Sequence, residues 1–248
     1  MTAPAPAGLV RVRTSDQVAD HILGLLFAGR LRAGDRVDID GLAAELGVSR
    51  VPIREALAQL ERDGIVSTPH HRGAFVSAFD ARTVREAFDL YALLSGLTTF
   101  RVTRHRDKAV TEALAKLNAA IAATRDLDRF EELARDFRRV INLAAGGPHL
   151  RALMRTFRGL VPAAARFGMP EAMPREREYI AAELNAIRRG AATAAATAAI
   201  EHIHYSGQCA IDALVRAGIF ASGDPDRRPQ PAGELLGLIK SLESVSQP

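Results

Sequence analysis

The sequence has 248 residues but only one cysteine, Cys209, no tryptophan and few aromatic residues of any kind. A single cysteine cannot form an internal disulfide, and this composition is typical of a reducing, cytoplasmic environment. The chain also lacks the run of about 20 apolar residues that a membrane-spanning helix needs. Near Met1 it has no long apolar core of the kind found in signal peptides. We therefore expect a cytoplasmic protein that does not associate with membranes.

Motifs that carry catalysis are also missing from the sequence. It contains no glycine-rich phosphate loop, no cysteine paired with a histidine, and no spaced carboxylate pair on a recognisable catalytic element. Acidic pairs such as Glu131 with Glu132, or Glu176 with Glu178, have the pattern of solvated helix faces. We predict that the protein is not an enzyme and has no cofactor.

The segment 47–57 is the most informative part of the chain, because it has the pattern of a tight turn followed by a DNA-recognition helix. Gly47 can adopt the positive φ that ends a preceding helix, which Asp40 can cap. Ser49 can cap the next helix, and Pro52 falls in the first turn of that helix, where a missing N–H does no harm. The spacing predicts two helices joined by a short turn.

Arg50 and Arg54 lie four residues apart on the polar face of the second of these helices. A helix N-terminus with two exposed guanidinium groups suits a major groove, where arginine bonds to guanine or to phosphate. The alternative is an ordinary surface helix, in which these arginines are solvated or pair with Glu55 and Glu61.

The flanking sequence favours the first interpretation. Upstream, Thr14 and Gln17 have the spacing of a capping box that opens an amphipathic helix. Downstream, two β-prone runs over 65–68 and 74–77 are joined by the loop 69–73, which has turn residues and a cationic tip. Three helices and a hairpin predict a winged helix-turn-helix. For His70 and His71 in this loop, the alternative to DNA contact is a solvated turn.

Charge in this region is balanced although the whole chain is basic. Residues 1–77 contain nine arginines and nine acidic residues, whereas the whole chain has a formal net charge of +4. Non-specific affinity for phosphate should therefore be modest, and a dimer would be needed to double the contacts. We expect a homodimer that reads an inverted repeat.

The rest of the chain has helical periodicity and no alternating strand pattern. Asp80 can cap the first of these helices, and breaks are expected at 146–148, at 168–170 and at Gly190. The pattern predicts an antiparallel bundle of about six helices. The predicted fold class is thus mainly α, with an N-terminal winged helix-turn-helix followed by an all-helical bundle.

These patterns divide the chain into four parts. Residues 1–13 are expected to form a flexible arm, and residues 14–78 the winged helix-turn-helix. Residues 80–218 would form the helical domain, and residues 219–248 a proline-rich linker with a short C-terminal helix. DNA binding is therefore assigned to the first folded domain, and effector binding and dimerisation to the second.

Residues from about 17 to 76 resemble the DNA-binding domain of the GntR family of bacterial transcription regulators. The resemblance is carried by the segments 29–35, 42–57, 60–66 and 72–76. Ala33 stands where the family usually has proline, which should only loosen that turn. The resemblance implies DNA contacts from nine residues. They are Ser49, Arg50, Val51, Pro52 and Arg54 in the recognition helix, with His70, His71, Arg72 and Gly73 in the wing.

The order of a winged domain and a helical bundle resembles the FadR-like branch of the family, whose C-terminal FCD domain binds an effector and dimerises. Many such domains hold a metal through an aspartate and three histidines. The corresponding positions here are Ala134, Arg138 and the neighbourhoods of Ile180 and Ile203. We therefore predict no metal site, the alternative being a shifted site with Asp136, His202 and His204.

Arg138 is the best candidate to anchor an effector, because a cation on an inward helix can bind a carboxylate through two hydrogen bonds. The alternative is a solvated arginine. Further candidates supply amide, hydroxyl and imidazole groups. They are Asn142, Tyr91, Tyr179, His202 and His204. We expect a small organic acid or an acyl compound as the effector.

Together these features predict a sequence-specific DNA-binding transcription regulator. The expected form is a ligand-responsive repressor that binds an inverted-repeat operator in double-stranded DNA as a homodimer. The alternative is a ligand-independent DNA-binding protein whose helical domain only dimerises.

Overall fold

The computed structural model describes residues 14–69, 72–77, 80–157, 161 and 170–220. Within these ranges it contains nine α-helices and one two-stranded sheet, which confirms the predicted fold class. The helices are α1 (Thr14–Phe27), α2 (Ile39–Leu46), α3 (Arg50–Arg62), α4 (Ala81–His105), α5 (Lys108–Ala123), α6 (Leu127–Ala144), α7 (Pro148–Thr156), α8 (Met173–Arg189) and α9 (Ala192–Arg216). The strands are β1 (Val66–Ser67) and β2 (Phe75–Val76).

The turn between α2 and α3 forms as the sequence predicts. Gly47 has φ 64° and ψ 31°, and the N–H of Val48 donates to the carbonyl of Ala43 at 3.1 Å. The predicted cap of α2 was wrong by two residues. Asp38 lies at the N-cap and accepts from the N–H of Asp40 at 3.1 Å, so that Asp40 lies in the first turn instead.

The description of α1 begins at Thr14, so the predicted capping box of Thr14 and Gln17 stays a prediction. The apolar face of α1 is the predicted one, because Val18, Ile22 and Leu26 are all buried. This face holds α1 against α3.

The wing is a short antiparallel ribbon with the register Val66↔Val76 and Ser67↔Phe75. Both strands are shorter than the predicted runs. The chain before α2 pairs with the other edge of β2, because the N–H of Gly34 donates to the carbonyl of Val76 at 2.9 Å. Residues 34–37 thus cover the outer edge of β2, which would otherwise have unpaired backbone groups.

Helices α4 to α9 form the bundle in the described part of the chain, where Val161 is also helical, and the predicted number of about six helices stays a prediction. Asp80 caps α4 as predicted, accepting from the N–H of Thr83 at 2.8 Å. Gly190 ends α8 with φ 72°. The predicted break at 146–148 separates α6 from α7, whereas residues 168 and 169 lie outside the described residues.

The two longest helices, α4 and α9, are packed in direct contact. Gly207 of α9 lies against the ring of Phe88 of α4. A Cβ on residue 207 would come within 2.7 Å of Phe88 Cγ. Only glycine allows the two helices this separation.

One hydrophobic core is continuous from the winged domain into the bundle. It joins Ile53 and Leu60 of α3 with Phe88 of α4 and Leu214 of α9. The packed chain also continues past α9 into the predicted linker, because Phe220 is buried in this core. A second core, which includes Leu114, Phe137 and Ile180, lies among α5, α6 and α8.

Candidate nucleic-acid interface and bundle cavity

The N-terminus of α3 presents a compact exposed surface. Ser49 occupies the N-cap position in an extended conformation, but its side chain makes no capping hydrogen bond. Arg50 and Arg54 are exposed, and the side chain of Val51 is 62% exposed. The opposite face of α3 is buried through Ile53 and other apolar residues. The amphipathic pattern therefore turns the two guanidinium groups and one apolar side chain to solvent.

Arg50 is held by a residue that the sequence analysis did not consider as its partner. Its Nε lies 2.6 Å from Oδ1 of Asp40 on α2. Both side chains are about two-thirds exposed, at 64% and 66%, so the pair contributes at most about 1 kcal/mol to stability. Glu61 accepts instead from the N–H of Thr68 at 3.0 Å. A phosphate or a base edge can therefore compete for Arg50 at small cost.

The root of the wing carries a second pair of arginines. Arg72 is exposed, and the adjacent Gly73 has φ 94°. A Cβ on Gly73 would come within 3.0 Å of Nε of Arg36, so Arg36 lies directly against the hairpin. The sequence analysis did not single out Arg36. Its position follows from the pairing of residues 34–37 with β2, which no local motif indicates.

Seven of the nine predicted DNA contacts thus fall in two groups on the winged domain. Ser49, Arg50, Val51, Pro52 and Arg54 share the start of α3, and Arg72 and Gly73 lie in the wing. His70 and His71 lie outside the described residues. The contacts themselves stay predictions.

The bundle contains a partly open cavity of about 120 Å³ between α4, α6, α8 and α9. Most of the surface of its described lining is apolar. The apolar lining includes Phe88, Phe130, Ala134, Met173, Ile203 and Ala210. Polar side chains also reach it from all four helices, and a largely apolar surface with some polar groups is the usual composition of a small-molecule site.

Arg138 reaches this cavity but is not a solvated arginine, because it is only 6% exposed. It forms a bidentate ion pair with Glu183 of α8, with Nη1–Oε1 at 2.9 Å and Nη2–Oε2 at 2.6 Å. Thr99 donates to the same carboxylate at 2.7 Å. Burial lowers the pKa of Arg138, but the charge and hydrogen bonds of Glu183 outweigh this and raise it above its usual value. The cation that we expected to anchor a ligand is thus already neutralised by the protein.

His202 also lines the cavity and is buried. Its ring stacks on that of Tyr179, with centroids 6.1 Å apart. Nδ1 of His202 has no hydrogen-bond partner among the residues that the structure describes. Burial, and secondarily the charge of Arg138, lower the pKa of His202 to about 3, so the imidazole is neutral at physiological pH.

Residues 14–76 of the chain match the gntR family of bacterial regulatory proteins, and residues 86–205 match the FCD domain. The chain therefore carries a DNA-binding domain of the gntR family followed by an FCD domain. An HTH-type transcriptional regulator of Mycobacterium tuberculosis is 43% identical over 151 residues, which are 61% of this chain and 62% of that protein. The Nta operon transcriptional regulator of Aminobacter aminovorans is 37% identical over 86 residues, covering 35% and 40%. The matched region is thus less than two thirds of either relative's length.

The fold is shared with a solved structure of McbR/YncC from E. coli. The TM-score is 0.61 at 20% identity, and the match covers 83% of this chain and 98% of that one. This similarity concerns the fold alone. No helix in the described part of the chain has both the length and the apolar character needed to cross a membrane.

Three of the six predicted effector residues line the cavity of the FCD domain: Arg138, Tyr91 and His202. Asn142 shares a hydrogen bond with Tyr91 and accepts from Thr98 Oγ1 at 3.0 Å. The other two residues lie outside the described lining of this cavity, and the ligand contacts themselves stay predictions. Tyr179 supports His202 from outside the cavity lining, because it stacks on the imidazole, and His204 contacts Asp89 of α4 at 3.1 Å.

Five polar or ionisable lining residues were not predicted from the sequence: Glu131, Arg135, Glu176, Ser206 and Cys209. Ser206 of α9 donates to Oε1 of Glu176 at 2.8 Å, and burial raises the pKa of the Glu176 carboxyl group. Burial also raises the pKa of the Cys209 thiol on the next turn. The helical spacing of His202, Ser206 and Cys209 places these three residues on one face of α9, and this signal could have predicted Ser206 and Cys209.

The positions that correspond to metal ligands in related FCD domains carry no metal-binding side chains here. Ala134, Arg138 and Ile203 line the cavity, and Ile180 is buried in the second core. The described ranges contain no cluster of three or more histidine, cysteine, aspartate or glutamate side chains that could hold an ion. The cavity thus presents methyl groups and a neutralised guanidinium at these positions.

Proposed function

We propose that the protein is a sequence-specific transcription regulator that binds an inverted-repeat operator as a homodimer and responds to a ligand bound in its bundle. The observation that carries the proposal is the start of α3, where Arg50, Val51 and Arg54 are exposed together beside the wing. This surface belongs to the part of the chain that matches the gntR family.

The chemistry of this surface fits a major groove. A guanidinium can bond to O6 and N7 of guanine, and such a bidentate contact discriminates by about 1 to 3 kcal/mol. The exposed Val51 can contact a thymine methyl group, which is the apolar feature of the same groove. Because charge in residues 1–77 is balanced, one winged domain would bind weakly, and two copies on one operator supply the required affinity.

A leucine-rich face of α4 supports the homodimer. Leu90 is 48% exposed, and Leu93, Leu94 and Leu97 are only partly buried on the same side of the helix. Among the described residues, none of the four belongs to either core or packs against one. A second copy of this face would cover them, and each buried leucine would contribute about 1.5 to 3 kcal/mol.

The path from cavity to DNA runs along α9. His202 and Ser206 line the cavity from this helix, and its end carries Leu214 into the core shared with the winged domain. A ligand that shifts α9 therefore changes the pose of the winged domain. Such coupling is typically about 1 to 3 kcal/mol, enough for a roughly 5-fold to 150-fold change in affinity for DNA. We expect ligand binding to lower the affinity for DNA and so to release the protein from its operator.

A second candidate function is a DNA-binding protein whose bundle only dimerises. It is favoured by the pairing of Arg138 with Glu183, since a core that satisfies its own charges needs no ligand for stability. The two candidates differ in whether any small molecule changes affinity for the operator.

The first test is selection of binding sites from a random duplex library with the purified full chain. We expect an inverted repeat to be enriched, and the enrichment to be lost in the double variant Arg50→Ala, Arg54→Ala. Loss of one bidentate base contact should cost about 1 to 3 kcal/mol, or about a 5-fold to 150-fold increase in Kd.

Arg62→Ala is the matched control for this experiment, because it removes an exposed arginine from the other end of the same helix. Its selected sites should be those of the unaltered protein. Enrichment that survives in the double variant would show that α3 does not read the sequence, and no enrichment at low salt would contradict the proposed function.

A further inference from the structure

Among its described lining residues, the cavity has little free positive charge to offer an anionic ligand. Arg138 is bidentately bound to Glu183, and the other arginine of the described lining, Arg135, is exposed. Glu131 and Glu176 add carboxyl groups to the lining. Among these residues, an incoming carboxylate would therefore meet acidic groups without an unpaired buried cation to balance its desolvation.

The cavity does offer an unused imidazole nitrogen. Nδ1 of His202 is buried and has no partner in the described part of the protein. A buried polar atom without a partner destabilises the empty cavity, and a ligand that bonds to it removes this cost. A neutral imidazole nitrogen is a donor in one tautomer and an acceptor in the other. A hydroxyl group can serve both, since it donates and accepts.

The size of the cavity limits the rest of the ligand. Its volume of about 120 Å³ is close to that of cavities of about 150 Å³ that hold a benzene molecule. The walls beside His202 are aromatic and aliphatic, from Phe88, Phe130 and Met173. A single ring or a short branched chain fits this volume, whereas a long acyl chain would exceed it.

We propose that the cavity binds an uncharged, ring-sized apolar molecule with one hydroxyl group, and that this hydroxyl bonds to Nδ1 of His202. This proposal specifies the class of ligand for the response described under the proposed function. Its regulatory role rests on that proposed function. The binding step itself requires only the bundle.

The test compares three probes by isothermal titration calorimetry on the full chain. Phenol has the ring and the hydroxyl, toluene has the same number of heavy atoms without the hydroxyl, and benzoate carries a charge. We expect phenol to bind at least about five-fold tighter than toluene, which is the effect of one buried hydrogen bond. Benzoate should bind at least about ten-fold more weakly than phenol, because its charge loses hydration without gaining a cation.

The variant His202→Phe removes the ring nitrogens and keeps an aromatic ring against Tyr179. In this variant the preference for phenol over toluene should fall to about one. His204→Phe is the matched control on the same helix, since His204 lies outside the lining, and it should keep the preference. Circular dichroism establishes that each variant is folded.

A second variant keeps the test decisive if His202→Phe does not fold. Ala134→Phe fills the cavity from α6 and should weaken phenol and toluene alike by more than about ten-fold. Tighter binding of benzoate, an unchanged preference in His202→Phe, or no binding of phenol would overturn the proposal. If site selection still enriches an operator, only the ligand assignment has failed, whereas absence of enrichment concerns the regulator itself.

Discussion

At the scale of single residues, Asp63 is a charged group in an unfavourable place. It ends the recognition helix α3, and Oδ2 of its carboxyl group is buried without a hydrogen-bond partner among the described residues. Burial raises the pKa of Asp63 to about 6, although the neighbouring Arg62 acts in the opposite direction. The ionised form is thus destabilised in the folded protein, and a negative charge at a helix C-terminus adds to this.

This predicts that Asp63→Asn stabilises the protein near neutral pH. A carboxyl group whose folded pKa is raised contributes full stability below its unfolded pKa, near 4, and loses it as pH rises through about 6. Asparagine remains neutral, so the free energy of unfolding of the variant should exceed that of the unaltered protein by about 1 kcal/mol at pH 7.5, after discounting for partial exposure. Urea unfolding at pH 4.5 and 7.5 measures this difference.

Glu55→Gln serves as the control for that measurement, since it removes an exposed negative charge from the same helix. Its effect should be small and nearly the same at both pH values. An equal gain for Asp63→Asn at pH 4.5 would show that the buried carboxylate is not the cause.

Arg138 shows what sequence can and cannot predict about a residue. Its inward position follows from the helical period of α6. The structure buries Arg138, as expected for a residue that would anchor a ligand inside the bundle. Its partner Glu183 lies 45 residues later on another helix, and local spacing does not say which helices meet. A signal existed, because Glu183 shares a buried face with Ile180 and Ile187. An acid on such a face indicates a buried partner.

At the scale of elements, α4 combines a buried side with a leucine side that no described residue of either core covers. We predict that Leu90→Glu with Leu97→Glu converts a dimer to a monomer, because two buried carboxylates at the centre of the interface cannot be solvated. Light scattering after size-exclusion chromatography measures the mass. Affinity for the operator should fall by at least about 100-fold when the two half-sites are no longer bound together.

Leu143→Glu controls for the introduction of a charge at an exposed leucine. Leu143 lies on α6 and is 55% exposed. This variant should remain dimeric with unchanged affinity for DNA. Dissociation by Leu143→Glu, but not by the α4 changes, would place the dimer interface on α6 and contradict the assignment to α4.

Helix ends were predicted well where one residue type decides them. Gly47 and Gly190 adopt positive φ, and Asp80 caps α4, because each supplies a backbone conformation or an acceptor that few other residues provide. The cap of α2 was misplaced because Asp38 and Asp40 offer the same acceptor two residues apart. The wing strands came out shorter than predicted, since ladder length depends on pairing rather than on propensity.

At the scale of the whole molecule, α9 connects the bundle to the winged domain. With 25 residues it is about 37 Å long. Beyond its end, Ile219 lies near Gly29 at the end of α1, and Phe220 is buried. The sequence predicted a linker from residue 219. Local composition could not reveal this packing, because Ile219 and Phe220 are followed by polar and proline-rich residues.

We predict that Phe220→Leu weakens the coupling between the cavity of the bundle and the DNA-binding surface of the winged domain, without altering either site. Phenol should bind with an unchanged Kd, whereas its effect on operator affinity should fall from at least about five-fold toward one. Fluorescence anisotropy of a labelled operator, with and without phenol, measures the effect. Phe137→Leu makes the same change in the second core and should leave the effect of phenol intact.

The contact between Gly207 and Phe88 has a consequence for the evolution of ligand preference. The ring of Phe88 is a wall of the cavity, and it occupies the space that a side chain on residue 207 would need. Any substitution at this glycine must move that wall. A single change on the outer side of Phe88 would therefore reshape the void and retune which molecules fit, while every residue that faces the ligand stays the same.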